Sequence, residues 1–357
     1  MLADSAALVN RGQPSGETIA TISRGKREGL SSVRMEDVAR SAGVSAITVS
    51  RAVNVPHKLA PATLRAVRAA IAKLGYVPNL TAGSLASNRS RTIGVIVPTV
   101  ANSIFADTID GLSQTLGPER YHLLLGQSHY REEQEAALVD AFVGRRVDGL
   151  VLTGVTHARG VRARLQRAAL PVVETWDTSA RPIDMLVGFS NVDAGRAAAS
   201  FLIGKGWRRL AYIGGSDERS SKRLAGFRAG ARACGVADVA VVQLPSSSQP
   251  SDGATATAGL LAGPVPQALF CSNDTLAAGA LFECARCGVR VPADMAVMGF
   301  ADLPIATAIE PKLTTVQVRA REMGERAGVL LLQRLAGNAP AERVVDLGFA
   351  VAERAST

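Results

Sequence analysis

The 69 residues from Val38 to Ala106 contain neither aspartate nor glutamate. A surface without carboxylates does not repel phosphate, so we expect this stretch to face nucleic acid. Residues 1–91 carry a formal charge of +8, out of +9 for the whole chain. The basic excess is therefore local, and it indicates DNA binding near one end of the chain. The basic residues of the acid-free stretch are Arg40, Arg51, Lys58, Arg65, Arg68, Lys73, Arg89 and Arg91.

Further absences narrow the class of protein. No apolar run approaches the ~18 residues that a membrane-spanning helix needs, so we expect no membrane partner. Residues 1–32 lack the basic-then-apolar order of a signal peptide, and we expect them to form a disordered polar tail. Four cysteines in 357 residues favour a reducing cytoplasm over a framework of disulfides.

The signatures of common enzyme classes are missing as well. No GxGxxG motif opens a helix after the first predicted strand, and neither a phosphate-binding loop nor a Ser/His/Asp set is recognisable. The four histidines are scattered, and Cys284 and Cys287 have no second pair at metal-ligand spacing. The sequence therefore predicts no enzymatic activity, no metal and no cofactor.

The segment MEDVARSAGVSAITVSRAVN has the spacing of a helix-turn-helix. A first helix is expected over residues 35–42, and Gly43 supplies the positive φ that a tight turn requires. Ser45 is expected to cap a second helix that covers AITVSRAVN. Val49 and Val53 lie four residues apart on that helix, so both are expected to face inward.

The exposed face of the second helix is expected to contact DNA. Arg51 can form paired hydrogen bonds to O6 and N7 of guanine, whereas Ala46 and Ile47 can offer only apolar contact. Thr48 and Ser50 suit phosphates, which set register rather than sequence. The candidate DNA contacts up to residue 79 are Ser45, Ala46, Ile47, Thr48, Ser50, Arg51, Asn54, Tyr76 and Asn79.

A third helix and a linker follow. The helix is expected to begin at Pro61, which suits a first helical turn, and to end at Gly75. The linker, residues 79–91, is weakly apolar and has Gly83 near its middle. Its apolar core is shorter than the ~12 residues that hold a helix alone in water. We expect it to be disordered in the free protein and helical on DNA, with a plain flexible tether as the alternative.

Three segments, MEDVARSAGVSAITVSRAVN, LRAVRAAIAKLGYVPN and TIGVIVP, resemble the LacI/GalR family of bacterial repressors. The resemblance runs from residue 33 to about residue 352. It implies a homodimer whose linkers pair as hinge helices in the minor groove, with Leu85 wedged into the central base step. Two positions depart from the family pattern. Gly83 stands where a long polar residue is usual, and Ala60 replaces the common hydroxyl cap of the third helix.

From Thr92 onward, short apolar runs alternate with longer amphipathic segments, which predicts parallel sheets covered on both faces. The candidate strands form two sets: 93–98, 121–126, 148–153 and 171–175, then 210–215, 239–244, 268–272 and 295–300. The predicted fold is a small all-α helix-turn-helix headpiece plus an α/β domain of two lobes, each a doubly wound parallel sheet. The resemblance implies the periplasmic-binding-protein-like arrangement. The expected domains are the tail (1–32), the headpiece (33–78), the linker (79–91) and an effector-binding and dimerisation domain (92–357).

Ligands of open α/β sheets bind beyond the carboxyl ends of the strands. The residues at those positions are rich in donors and acceptors, which suits a small polyhydroxylated ligand. Arg219 is expected to hold a carboxylate, unless it only pairs with a neighbouring acid. His157 has the alternative of a hydrogen-bonded loop histidine, and Asp274 is expected to cap a helix while Asn273 reaches the ligand. The candidate effector contacts are Ile104, Phe105, Thr153, His157, Glu174, Trp176, Arg219, Asn273 and Asp302.

Several segments resemble the gluconate-operon repressors of this family more closely, among them LTGVTHA (152–158), PVVETWD (171–177) and FECARCG (282–288). Ala301 stands where many sugar-sensing relatives carry an aspartate, which agrees with a sugar-acid ligand. The resemblance implies a homodimeric repressor that holds a near-palindromic double-stranded operator and releases it when a sugar acid such as gluconate binds. The alternatives are a regulator of the same type that responds to a ketogluconate, a phosphosugar or a corepressor, and a sugar-binding transport protein.

Overall fold

The structure, a computed structural model, describes residues 33–77, 89–101, 103–246 and 249–357. The chain divides into two compact units, residues 1–80 and residues 81–357. The expected tail, and the expected linker up to residue 88, lie outside the described residues. Among the helices that the structure describes, none combines the length and the apolar character that crossing a membrane requires.

Three helices form the headpiece: α1 (Met35–Ala42), α2 (Ala46–Asn54) and α3 (Pro61–Leu74). Gly43 has a φ of 67° in the turn between α1 and α2. The Ser45 hydroxyl accepts a 3.2 Å hydrogen bond from the Thr48 amide in the first turn of α2. Both features confirm the expected helix-turn-helix, because glycine adopts this φ without strain and the hydroxyl satisfies an otherwise unpaired amide.

Three valines form the centre of the headpiece core. Val38, Val49 and Val67 come from α1, α2 and α3, and each is 0% exposed. Val53 was expected to share this core, but it is half-buried, and Ala52 is buried instead. The buried residues of α2 are therefore Val49 and Ala52, three positions apart, and not Val49 and Val53, four positions apart. Both spacings place two residues on the same side of a helix.

The larger unit begins with a segment that forms lobe 1. It contains β1 (Thr92–Val97), α4 (Ala106–Leu116), β2 (His122–Gln127), α5 (Glu132–Gly144), β3 (Gly149–Thr153), α6 (Val161–Arg167), β4 (Val172–Thr175) and β5 (Met185–Gly188). The four strands expected in this segment are confirmed to within one residue at each end, whereas β5 was not expected.

The next segment forms lobe 2. It contains α7 (Asn191–Gly204), β6 (Leu210–Gly215), α8 (Glu218–Ala233), β7 (Val239–Leu244), α9 (Pro250–Leu261), β8 (Ala268–Cys271), α10 (Asp274–Arg286), β9 (Ala296–Ala301), α11 (Ile305–Ala308) and β10 (Thr314–Val318). The chain then returns to lobe 1 with α12 (Ala320–Leu335) and β11 (Val344–Asp346), and ends with β12 (Phe349–Ala352) in lobe 2.

Each lobe is built on one six-stranded sheet in the described part of the chain. The strand order is β11-β5-β4-β3-β1-β2 in lobe 1 and β12-β10-β9-β8-β6-β7 in lobe 2. All neighbours are parallel except β10 and β12, which are antiparallel. The chain crosses between the lobes after β5, after β10 and after β11. The lobes are therefore interleaved in sequence, which the two expected sets of strands did not anticipate.

Glycines allow the helices α7 and α8 to touch through their backbones. A Cβ added to Gly226 of α8 would lie 1.9 Å from the Val192 carbonyl oxygen of α7, and one added to Gly195 would lie 2.0 Å from the Arg223 carbonyl oxygen. Both distances are far below van der Waals contact. Any side chain at these positions must push the helices apart, and α8 carries residues of the interlobe cleft described below.

We predict that Gly226→Ala destabilises the protein by about 1–3 kcal/mol, because a methyl group has no room between α7 and α8. This corresponds to a melting temperature lowered by at least about 3 °C. Gly204→Ala is the matched control, because a Cβ there meets no atom within 4 Å. Thermal unfolding followed by circular dichroism measures both, and equal melting temperatures for the two variants would contradict the packing argument.

Candidate functional site

The exposed face of α2 presents the side chains expected to read DNA. Ile47 is 65% exposed, and Arg51 and Asn54 are exposed as well. The Asn54 amide nitrogen donates a 3.0 Å hydrogen bond to the Ser50 carbonyl of the same helix. The amide of Asn54 is therefore held against its own helix, while Ile47 and the Arg51 guanidinium face outward without such a bond to the helix.

Two of the expected DNA contacts are placed differently. Ala46 was expected to face outward, but it is half-buried and packs against the headpiece core. Tyr76 is 7% exposed and belongs to the same core. Tyr76 is buried because Gly75, with a φ of 62°, ends α3 and turns the chain back over the bundle. Their burial favours a packing role for both Ala46 and Tyr76. Asn79 and Leu85 lie outside the described residues.

Some of the effector candidates line a cleft between the two lobes, at the carboxyl ends of strands from both sheets. The cleft is narrow in this arrangement of the lobes, with a cavity volume of about 20 Å³, close to the space that one water molecule needs. Its lining residues are Ile104, Phe105, Tyr130, Trp176, Gly215, Asp217, Arg219, Arg223, Ser246, Ser272 and Asn273. Five of the nine expected contacts are among them: Ile104, Phe105, Trp176, Arg219 and Asn273.

An aromatic wall closes the lobe 1 side of the cleft. The Trp176 ring meets Phe105 edge-on at a centroid distance of 5.1 Å, and Phe189 at 6.1 Å. Trp176 is 2% exposed, and its indole nitrogen donates a 3.1 Å hydrogen bond to the Thr108 hydroxyl. This hydrogen bond orients the Trp176 ring within the wall.

Arg219 reaches across the cleft from lobe 2. Its guanidinium carbon lies 5.6 Å from the centre of the Phe105 ring. One guanidinium nitrogen donates a 3.2 Å hydrogen bond to the Thr153 carbonyl of lobe 1. A carbonyl oxygen, not a neighbouring carboxylate, accepts this bond, and a planar guanidinium has further N–H groups for a ligand.

Arg223 lies one helical turn further along α8 and is buried, with 6% exposure. Its Nη1 donates a 2.5 Å hydrogen bond to the Asn191 side-chain oxygen, and its guanidinium carbon lies 4.2 Å from the centre of the Phe300 ring. Its Nε is buried and has no hydrogen-bond partner among the residues that the structure describes. Burial lowers the pKa of the Arg223 guanidinium. The cleft therefore contains a desolvated cation whose hydrogen bonding is incomplete.

Asn273, and not Asp274, caps α10. The Asn273 side-chain oxygen caps α10 by accepting a 2.8 Å hydrogen bond from the Leu276 amide. Asp274 is 0% exposed and accepts 2.6 Å hydrogen bonds from the Leu303 amide and the Thr315 hydroxyl. Burial raises the pKa of the Asp274 carboxyl to about 7. The expectation that Asp274 caps the helix is wrong, and Asn273 caps it while its side-chain nitrogen remains available to a ligand.

His157 and Glu174 were expected to contact the effector, but they form a buried cluster with Glu135 inside lobe 1. His157 Nδ1 lies 2.7 Å from Glu135 Oε1, and its Nε2 lies 3.1 Å from Glu174 Oε1. The other Glu174 oxygen accepts a hydrogen bond from the Ile183 amide. Burial by itself would lower the pKa of His157, but the hydrogen bonds and charges of both carboxylates raise it to about 9. The polar atoms of His157 and Glu174 are hydrogen-bonded to residues of lobe 1. This agrees with the alternative for His157, a hydrogen-bonded loop histidine.

Thr153 and Asp302 are also absent from the residues that line the cleft. The Thr153 hydroxyl donates a 3.0 Å hydrogen bond to the Ile96 carbonyl of the neighbouring strand, so Thr153 faces Arg219 with its carbonyl oxygen. Asp302 is held by 2.6 Å hydrogen bonds from Arg354 and Gln317. Both side chains are hydrogen-bonded within their own lobe, so neither takes the position in the cleft that the sequence predicted.

The lining residues outside the nine expected contacts are Tyr130, Gly215, Asp217, Arg223, Ser246 and Ser272. Tyr130 and Ser246 follow the edge strands β2 and β7, so the same rule about carboxyl ends, applied to every strand, would have found them. Arg223 follows Arg219 by four residues on a helix, which places both on one face. That spacing was the available signal for the second guanidinium.

Comparison with known proteins agrees with this architecture. Models described as "Bacterial regulatory proteins, lacI family" and "Periplasmic binding protein-like domain" match residues 34–79 and 199–357. The HTH-type transcriptional regulator GntR of Pseudomonas aeruginosa is 36% identical over 326 residues, or 90% of this chain and 95% of that protein. A LacI-family regulator from Silicibacter pomeroyi has a TM-score of 0.84 at 31% identity, over 91% of this chain and 99% of that one. The lac repressor dimer bound to operator and the anti-inducer ONPF has a TM-score of 0.79 at 27% identity, over 91% and 99%.

The chain belongs to the LacI family. It is a DNA-binding transcriptional repressor of that family and not an enzyme, because its relatives are transcriptional regulators. The resemblance noted in the sequence is confirmed, and so is the fold class of a helix-turn-helix region with a two-lobed periplasmic-binding-like domain.

The buried cluster of this LacI-family protein gives a pH-dependent prediction. The folded pKa of His157, about 9, exceeds the unfolded value near 6.5, so its stabilisation is complete below pH ~6.5 and disappears as pH rises through 9. We predict an NMR titration midpoint near 9 for the His157 ring, and a melting temperature that falls from pH 7 to 9.5 more steeply in the wild type than in His157→Gln. His122 is exposed, so His122→Gln serves as the control and should keep the wild-type slope. A His157 midpoint near 6.5 would contradict the ion-paired cluster.

Proposed function

We propose that this LacI-family protein represses genes of sugar-acid catabolism and releases its operator when a small sugar acid such as gluconate binds in the interlobe cleft. Arg223 carries this proposal. It is a buried cation beside the cleft, its hydrogen bond goes to a neutral amide, and its Nε is unpaired. Asp217 offsets part of the cost of burying this cation, and a ligand carboxylate between Arg223 and Arg219 offsets more of it.

The remainder of the cleft suits the hydroxyl groups of such a ligand. Asp217, Ser246, Ser272 and the Asn273 amide nitrogen supply donors and acceptors on the lobe 2 side. The aromatic wall of Trp176 and Phe105 faces them and suits the C–H faces of a polyol chain. An anionic end with a hydroxylated chain is the composition of an aldonic acid. The GntR name of the relative agrees with the resemblance to gluconate-operon repressors.

Hydrogen bonds between the lobes supply a mechanism of response. Glu218 of lobe 2 accepts a 2.6 Å hydrogen bond from the Thr156 hydroxyl of lobe 1. Lys222 lies 2.6 Å from Asp177 of lobe 1 and 2.8 Å from Glu218. These contacts flank the cleft, so a ligand that bridges both lobes changes the balance between their arrangements. A coupling of about 1–3 kcal/mol to the DNA-binding end is typical of such proteins.

We further propose that the protein acts in the cytoplasm as a homodimer on a near-palindromic double-stranded operator, with Leu85 in the minor groove. Two-fold protein symmetry selects two-fold DNA. Lobe 1 exposes apolar side chains that a partner copy would cover, with Val100 60% exposed and Leu125 46% exposed at one groove. Phe282 of lobe 2 is 56% exposed on α10. The lac repressor relative forms a dimer on its operator.

A phosphosugar or a ketogluconate is the second candidate effector. Paired guanidinium groups suit a phosphate as well as a carboxylate, so Arg219 and Arg223 favour both classes over a neutral sugar. A thermal-shift screen of aldonic acids, ketoaldonic acids and their phosphates separates these classes, because the ligand that binds most tightly raises the melting temperature most at equal concentration.

We predict that Arg219→Ala raises the dissociation constant for gluconate by about 10- to 100-fold, since a charged hydrogen bond is lost. Titration calorimetry measures this, and Arg228→Ala is the control because Arg228 is exposed on the same helix, α8. Operator affinity without gluconate should be unchanged in both variants. Wild-type gluconate binding by Arg219→Ala would reject the carboxylate role.

We predict that Arg51→Ala loses discrimination between an operator selected from random duplexes and a scrambled duplex, with a cost of about 1–3 kcal/mol at the operator. Weak binding that depends on salt should remain, because the other basic residues still face phosphate. Arg68→Ala is the control on α3 and should keep the ratio of the two affinities. Fluorescence anisotropy gives both constants, and an unchanged ratio in Arg51→Ala would remove Arg51 from base recognition.

A further inference from the structure

The Thr108 hydroxyl joins the wall of the cleft to the start of a long helix. It accepts a 3.1 Å hydrogen bond from the Trp176 indole nitrogen and donates a 3.0 Å hydrogen bond to the Ala320 carbonyl oxygen. A hydroxyl has one donor and two acceptor sites, so both bonds form together. Thr108 is 6% exposed, which excludes water as a ready substitute. Ala320 is the first residue of α12, directly after the crossing from β10.

The helix that begins at Ala320 is packed too closely on α4 to move without it. A Cβ added to Gly324 would lie 2.0 Å from the Thr108 carbonyl oxygen, and one added to Gly111 of α4 would lie 2.3 Å from the Arg321 carbonyl oxygen. The backbones of α4 and α12 are therefore in direct contact. Packed helices of this kind move as rigid elements, because a close-packed interface resists continuous deformation.

The far end of α12 is held by the segment that leads to the headpiece. An Arg89 guanidinium nitrogen donates a 2.8 Å hydrogen bond to the Leu335 carbonyl oxygen, at the last residue of α12. The last carbonyls of a helix have no partner within it, and a cation is favourable there. Fifteen rises of 1.5 Å separate Ala320 from Leu335, which places them about 22 Å apart along the helix axis.

The residues that follow Arg89 are anchored to lobe 1. The Asp148 carboxylate accepts 2.9 Å hydrogen bonds from the Ser90 and Arg91 amides, and a 3.2 Å hydrogen bond from the Ser90 hydroxyl. The start of the larger unit is thus fixed at one side by Asp148 and at the other by the end of α12. A shift of α12 relative to β3 changes the position of Arg89, because the two anchors lie on different elements.

We propose that Thr108 and Arg89 are positioning residues at the two ends of a relay, in which α12 carries the state of the effector cleft to the segment joining the headpiece. The relay rests on the proposed function, since it assumes that an effector occupies the cleft. A ligand against Trp176 changes the position of the indole, the Thr108 hydroxyl passes this to Ala320, and α12 moves as a rod with α4. Its last carbonyl then shifts the Arg89 side chain, and with it the chain that continues into the linker.

Thr108→Val tests the first step, because valine keeps the shape of threonine and removes both hydrogen bonds. Thr115→Val is the matched control on the same helix, since the Thr115 hydroxyl only bonds to the Gly111 carbonyl within α4, at 3.0 Å. In the full-length protein, gluconate should weaken operator binding at least fivefold less in Thr108→Val than in the wild type. The comparison is made at a gluconate concentration that saturates each variant, so that a change in gluconate affinity does not enter it. Thr115→Val should keep the wild-type response, and a wild-type response in Thr108→Val overturns the relay.

A measurement without ligand keeps the relay testable apart from the choice of effector. Hydrogen exchange at the amides of residues 336–338, just beyond α12, should be at least threefold faster in Thr108→Val and in Arg89→Gln than in the wild type and in Thr115→Val. If faster exchange in Thr108→Val is confined to residues near 108 and 320, the relay is wrong. If wild-type operator binding ignores gluconate while the exchange result holds, the effector assignment fails and the relay stands.

Discussion

The Arg223 guanidinium lies between the two lobes with 6% exposure, and its hydrogen bond goes to the neutral side chain of Asn191. Burying a cation in this way is unfavourable unless an anion or a set of acceptors completes its environment. The face of Phe300 supplies part of that environment, at 4.2 Å from the guanidinium carbon. Among the described residues the Arg223 Nε has no hydrogen-bond partner, and this atom is the basis for the proposal of an anionic ligand.

Three chain connections join the lobes on either side of the cleft that contains Arg223. The chain crosses between the lobes after β5, after β10 and after β11, so neither lobe can move without moving all three connections. The second connection leads directly into α12, and the first leads into α7, which packs on the helix that carries Arg219 and Arg223. The helix α8, which carries Arg219 and Arg223, is therefore close in sequence and in space to one of the connections between the lobes.

Local features of the fold were predictable because they depend on neighbours in sequence. Gly43 and Ser45 define the turn and the cap from their own chemistry, and Arg219 follows from the rule that ligands bind beyond the carboxyl ends of strands. The short strands β5, β10, β11 and β12 were missed because three to five residues do not set a period of their own, and β10 and β11 also contain polar residues. Their places in the sheets depend on pairing with distant strands.

The errors at the site have a common physical origin. Asp274 was expected to cap α10, yet its partners are Leu303 and Thr315, 29 and 41 residues away. His157 is similarly paired with Glu135 and Glu174 of other elements. A polar side chain satisfies the nearest partner in space, and sequence spacing does not reveal which long-range partner that is. The network of partners therefore had to come from the structure.

The most direct measurement compares gluconate with glucitol, its uncharged polyol counterpart, as ligands of the operator-bound protein. The two molecules share their hydroxylated chain and differ in the carboxylate, so the comparison isolates the charge that Arg219 and Arg223 would bind. The account predicts that gluconate raises the melting temperature and releases the operator, whereas glucitol at the same concentration does neither. Equal responses to both ligands, or a response to glucitol alone, would contradict a cleft built around a buried positive charge.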